Sequence, residues 1–169
     1  MAPIKANDTL ISRLMGPRFA TGKAFFIAGL KQRYNGKTMS AIPAQWDRFV
    51  SYLGKIPGQI GRVTYGLIFN NGEKADGFDY LVGVEVAGCS GLPREFSCVN
   101  IPAYKYAVFP HCEHVSKLKE TMEAISDKGL PEAVGKRMEN IPGAIERYGE
   151  GFDPQTGMGD IEVWVPINT

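Results

Sequence analysis

One carboxylate near the C-terminus stands in an apolar and aromatic run, Ala144-Ile145-Glu146-Arg147-Tyr148. In a strand, side chains alternate between faces, so Ala144, Glu146 and Tyr148 share one face and Ile145 and Arg147 the other. If the first face lines a cavity, Glu146 is a negative charge held against aromatic walls. An unpaired buried charge costs on the order of several kcal/mol, so such a site takes up a cation or a proton. Arg147 is adjacent, but it points to the opposite face and is a poor internal partner. The plainer reading of Glu146 is an edge carboxylate in water, or one satisfied by tyrosine hydroxyls.

Trp46, Tyr65, Tyr80, Tyr148 and Trp164 are among the aromatic residues of a kind that could line such a site. Any one of them is equally well a core residue. The case for a cage is collective: a cation over one ring gains ~0.5–2 kcal/mol. Apolar ligand area adds ~25 cal/mol per Å², a non-directional term that tolerates varied shapes. His111-Cys112-Glu113-His114 invites comparison with a metal cluster, yet the chain holds only these two histidines. A metal site would need distant cysteines or carboxylates to converge, and none is expected. His114 or Ser116 more simply starts a helix. Glu85 and Glu162 alternate with apolar residues and are expected to face solvent, with Glu162 on the face of Trp164 as a rim candidate. The chain carries no phosphate-cradling glycine loop and no dinucleotide fingerprint.

Those side chains need a scaffold of ordinary composition. The chain has 169 residues, enough for one domain with a real core. Its 19 Lys and Arg balance 18 Asp and Glu, so no basic field points to nucleic acid. No apolar run approaches membrane-spanning length, and residues 1–15 lack the apolar core of a secretory signal. Cys89, Cys98 and Cys112 are odd in number and show no CxxC spacing, which suits reduced thiols in a cytoplasm.

The pattern along the chain gives the scaffold. Gly22 to Leu30 reads as a strand, and Ser40 to Leu53 as a helix whose inward stripe is Trp46, Phe49, Val50 and Leu53. Arg62 to Phe69 and Phe78 to Ala87 read as strands joined by the hairpin signal Asn70-Asn71-Gly72. A fourth strand lies within Phe96 to Phe109. A second helix covers Val115 to Ser126, with Val115, Leu118, Met122 and Ile125 inward. A short helix is expected over Leu130 to Asn140. Ala144 to Gly149 and Asp160 to Ile167 close the chain as strands. The order is one strand-helix-strand-strand module written twice. Two such modules side by side form an α+β fold, an antiparallel sheet with both helices on one face and a cleft between the halves.

Several segments in this order resemble the GyrI-like (gyrase-inhibitory-protein-like) small-molecule-binding family, the effector-binding domain of many AraC-type and MerR-type regulators. They are Ala28-Gly29-Leu30, Ile42-Pro43-Ala44-Gln45-Trp46, the run Phe78 to Val86, and Leu92-Pro93. Ile101-Pro102-Ala103, Tyr106 to Phe109, Glu146-Arg147-Tyr148 and Ile161 to Ile167 complete the set. The resemblance covers roughly residues 20 to 169 and implies residues 1–18 as an extension ahead of a single domain, 19–169. It also implies a pocket between the halves that takes lipophilic, often cationic compounds. Glu146 falls at the family's pocket glutamate, with Trp46, Tyr80 and Trp164 as the best-matching aromatic partners. Tyr65, Tyr148 and Phe109 complete the expected ligand-contacting set. Gly129, where many members carry tryptophan, and Ile145, where many carry an aromatic residue, depart from the pattern.

The expected function is therefore reversible capture of lipophilic cationic or aromatic molecules. No cofactor, metal, membrane or direct nucleic-acid partner is expected, and a homodimer is allowed. The alternatives are a hydrolase of strained-ring toxic compounds, using Glu146 as acid or base and Tyr80 as proton donor, and a sensor that lacks its own DNA-binding domain. Only about twenty residues precede the first strand, too few for a helix-turn-helix domain.

Overall fold

The computed structural model describes residues 17–69, 77–127 and 141–167. The expected helix over 130–140, the Asn70-Asn71-Gly72 turn, Gly129 and most of the N-terminal extension lie outside them. Eight strands are seen among the described residues where six were expected. They are β1 (Arg18–Gly22), β2 (Phe25–Tyr34), β3 (Gln59–Phe69), β4 (Phe78–Val86), β5 (Ser97–Ile101), β6 (Tyr104–His111), β7 (Ala144–Tyr148) and β8 (Ile161–Pro166). The helices are α1 (Ile42–Val50) and α2 (Leu118–Asp127), each entered through a short 3-10 turn. Pro43 sits in the first turn of α1, where its missing N–H is harmless. His114 caps the second entry, accepting from the Ser116 N–H at 3.1 Å.

The two additional strands arise differently. The strand expected from Gly22 is β2, while β1 forms just ahead of it, where no strand was expected, and pairs near the other end of the sheet. The fourth expected strand breaks at Pro102-Ala103, where proline cannot donate to a ladder.

All eight strands form one antiparallel sheet in the order β1-β6-β8-β7-β3-β4-β2-β5. The order β2-β4-β3 in the first half mirrors β6-β8-β7 in the second. The duplicated modules thus meet at the β3–β7 pair.

The connection from β5 to β6 forces this sheet to curl. The two strands lie six positions apart, about 29 Å in a flat sheet at ~4.8 Å per strand. Only Pro102 and Ala103 join them, a link that spans at most about 11 Å. The sheet therefore rolls into a half-barrel. Gly29 and Gly83 face each other in the β2–β4 pair, and a Cβ on Gly29 would collide with the Val82 carbonyl. Side-chain-free positions of this kind let strands press together where a sheet bends. Inside the roll lies one apolar cluster drawn from six strands: Ile27, Leu67, Leu81, Ile101, Tyr106, Val108 and Ile145.

Both helices cover the other face. There the core divides in two, one cluster under α1 with Phe49, Val82 and Val84, the other under α2 with Phe109, Leu118 and Val163. Trp46 packs against both.

Buried polar groups anchor each helix. Gln45 donates to the Leu30 and Tyr80 carbonyls at 2.8 and 3.1 Å and accepts from the Tyr34 hydroxyl at 2.7 Å. This seats α1 on β2 and β4, and it turns Val50, expected inward, out to 54% exposure. On the second half, His111 pairs with Thr121 Oγ1 at 2.8 Å. Among the described residues no helix is long and apolar enough to cross a membrane.

The expectation of three reduced thiols is corrected. Cys89 and Cys98 form a disulfide with Cα atoms 5.8 Å apart, leaving Cys112 free and exposed. Cys89 follows β4, Cys98 lies in β5, and both strands border β2, which brings the pair together. The thiol argument for a reducing compartment falls with it. Thiol titration of the unreduced, unfolded protein is expected to find one reactive cysteine, and three after reduction. Three before reduction would refute the pairing.

Candidate functional site

Glu146 sits in β7 directly opposite Gly66 of β3, at the seam between the modules. It is 7% exposed. Its Oε1 accepts two phenols: Tyr80 Oη, from β4, and Tyr148 Oη at 3.1 Å, from its own strand. Tyr80 Oη in turn accepts from Trp46 Nε1 at 3.1 Å. The Trp46 ring stands edge-on to Tyr148 at 5.0 Å, a contact worth ~0.5–1.5 kcal/mol beyond the area it buries. Phe152 also packs on Tyr148, at 5.1 Å.

Gly66 makes this geometry possible, and sequence reasoning missed it. Tyr80 and Glu146 lie on strands flanking β3, so they meet only by reaching across it. A Cβ at Gly66 would collide with both Tyr80 Oη and Glu146 Oε1. A glycine inside an otherwise apolar strand was the available signal, since such positions mark close approach.

The electrostatics follow from burial. Desolvation pushes the Glu146 carboxyl up to about 7, against the opposing pull of its two phenol hydrogen bonds. Burial, with the neighbouring Glu146 charge, raises Tyr80 and Tyr148 well above the ordinary phenol range. Both phenols therefore remain donors. Among the described residues no Lys, Arg or His side chain pairs with Glu146. Its second oxygen, Oε2, receives no hydrogen bond from them either. Among the described residues the carboxylate is thus held through one oxygen only, and by phenols alone.

The sequence-predicted residues separate into two groups. Glu146, Trp46, Tyr80 and Tyr148 converge. Phe109 lies on the same face but is fully buried in the core beneath α2. Trp164 and Tyr65 are on the opposite face, and the expectation that they share a site with Glu146 is corrected. Pairing sets Trp164 against Ile145 and Tyr65 against Arg147, one residue out of phase with Glu146. Trp164 packs on Tyr106 at 5.4 Å and lies under the Arg18 guanidinium. Tyr65 packs on Phe25 at 5.8 Å.

Glu162 belongs to that inner face too and is no rim residue of the seam. It pairs with Arg18 and with Arg147 at 3.3 Å. No group of three or more metal-ligating side chains converges among the described residues.

Residues 18–167 match the family of Cass2 proteins, described as integron-associated effector binding proteins. The transcriptional regulator BrlR of Pseudomonas aeruginosa is 27% identical over 163 residues, 92% of this chain and 56% of that protein. The chain thus spans little more than half of that curated relative. Among solved structures, SAV2435 bound to tetraphenylphosphonium aligns with a TM-score of 0.68 at 19% identity, over 91% of this chain and 94% of that one. The integron cassette protein VCH_CASS2 of Vibrio cholerae aligns at 0.57 and 16% identity, over 91% and 95% of the two chains. The C-terminal domain of EcmrR aligns at 0.60 and 12% identity, over 89% and 96%. With the family match and the shared fold, the chain belongs to the integron-associated effector binding proteins and is a GyrI-like effector-binding domain.

Proposed function

We propose that the seam between the two modules captures lipophilic cations, with Glu146 as counter-charge and Trp46, Tyr80 and Tyr148 as aromatic walls. The observation that carries this reading is the buried carboxylate that, among the described residues, is held only by two phenols on Oε1 and has no cationic partner. A delocalised cation restores the missing charge at small desolvation cost, because its own hydration is weak. The rings add cation–π attraction, and burial of its apolar surface does the rest. That SAV2435, of like fold, was solved with tetraphenylphosphonium supports the same chemistry here. No covalent step is required.

Tetraphenylphosphonium is expected to bind saturably, followed by quenching of tryptophan emission. Glu146→Gln should weaken it by about tenfold or more, ~1.4 kcal/mol per decade, while neutral triphenylphosphine oxide changes less than about threefold. Equal effects on the two probes would sink the reading.

Affinity is also expected to depend on pH. The Glu146 carboxyl titrates near 7, so cation affinity should rise as pH passes upward through that value and level off above it. Folding stability runs the other way. The folded carboxyl binds its proton more tightly than the unfolded one, so stability falls as pH rises from the ordinary glutamate range to about 7. Isothermal titration and urea melts between pH 5 and 8.5 read the two trends, and both should vanish in Glu146→Gln.

Gly66→Ala should part the Tyr80 phenol from the carboxylate. The expected result is a destabilisation of about 1–3 kcal/mol together with loss of cation affinity. An unchanged affinity in a folded Gly66→Ala protein would show that the phenol contact is dispensable for binding.

A further inference from the structure

The segment between β4 and β5 connects the edge of the sheet to the site. Leu92, Phe96 and Cys98 pack against the cluster beneath α1. The Phe96 ring lies 6.2 Å from Phe49 and 4.9 Å from Tyr52, and the Tyr52 hydroxyl donates to the Glu95 carboxylate. Phe49 stands edge-on to Trp46 at 6.4 Å. Trp46 then donates to Tyr80, which holds Glu146. An unbroken line of contacts runs from residues 88–96 to the carboxylate.

One covalent bond clamps both ends of that segment, the Cys89–Cys98 disulfide. Its other restraints are few. Among the described residues they are the packing of Leu92 and Phe96, the Tyr52–Glu95 contact, and a turn hydrogen bond from Phe96 N–H to the Pro93 carbonyl at 3.0 Å. Cys89 is exposed and Cys98 half-buried. Exposed disulfides are the ones open to thiolate attack.

We propose that the Cys89–Cys98 disulfide is a redox control on the seam: its reduction releases residues 88–96, loosens Phe96 from α1 and lowers the affinity of the site for its cation. This rests on the seam being the ligand site. The chemistry balances with a dithiol reductant. Its first thiolate attacks Cys89 Sγ, forming a mixed disulfide and expelling the Cys98 thiolate, which takes up a proton. Its second thiolate closes the reductant's own disulfide and expels Cys89. Two electrons and two protons pass from the dithiol to the pair. The sheet need not come apart, because β5 stays hydrogen-bonded to β2. The loss falls on Trp46, whose held position is what preorganises the aromatic wall.

The test uses the full chain carrying Trp164→Phe, which leaves Trp46 as the sole indole and removes a residue outside the site. Acrylamide quenching of Trp46 and tetraphenylphosphonium affinity by equilibrium dialysis are measured in the oxidised protein, after dithiothreitol, and in Cys89→Ser/Cys98→Ser. Reduction is expected to increase Trp46 quenching and weaken the cation by about fivefold or more, at the lower end of ordinary coupling between sites. The double variant should show the reduced values with no response to dithiothreitol. Quenching and affinity that both stay within about twofold on reduction would overturn the proposal.

The two readings fail separately. An oxidised protein that binds the cation but ignores reduction sinks the redox control alone. One that never binds the cation, although Trp46 responds to reduction, sinks the ligand class. If circular dichroism shows the double variant unfolded, the comparison with and without dithiothreitol decides.

Discussion

A carboxylate buried where two half-domains meet is the constraint to which the rest of the structure answers. Removing Glu146 from water is costly, and the fold offsets that cost with two phenols on a single oxygen rather than with a basic side chain. Phenols can do this only if they are held in place. Tyr80 is locked by the Trp46 indole and Tyr148 by the rings of Trp46 and Phe152. Hydrogen bonds chained in this way polarise one another in a low-dielectric site and stiffen it. The carboxylate is thereby fixed in position, with no positive charge beside it among the described residues.

Neither module contains this site. Trp46, Gly66 and Tyr80 come from the first, Glu146 and Tyr148 from the second, and they meet only because β3 pairs with β7. The two faces of the sheet treat similar acids in opposite ways. On the inner face, Glu162 is matched by Arg18 and Arg147 and accepts from the Trp164 indole. Its charge is spent on holding β1, β7 and β8 together. On the helix face Glu146 has no such partner among the described residues, and the core there divides into two clusters that Trp46 joins.

Within a single strand, the reading from sequence was sound. Alternation along residues 144–148 put Glu146 and Tyr148 on one face and Arg147 on the other, as the structure has them. Across strands it failed for Trp164 and Tyr65. Period 2 relates residues of one strand to each other but says nothing of how that phase compares with a neighbour's. The helical pattern of α1 was mis-phased by one residue for a related reason. Gln45, a polar side chain, takes an inward place because three buried partners satisfy its amide. A hydropathy pattern has no term for that.

Local spacing and composition determined the module written twice, the absence of a global charge bias, the helix entries at Pro43 and near His114 or Ser116, and the candidacy of Glu146 among aromatic residues. These depend on steric and hydrophobic preferences acting over a few residues, and they are legible in one dimension. Only the tertiary structure decided which rings face the carboxylate, that Gly66 must lack a side chain for them to meet, and that Cys89 finds Cys98. Each of those depends on register between strands distant in the chain, and register is set by the closing of the whole sheet rather than by any segment of it.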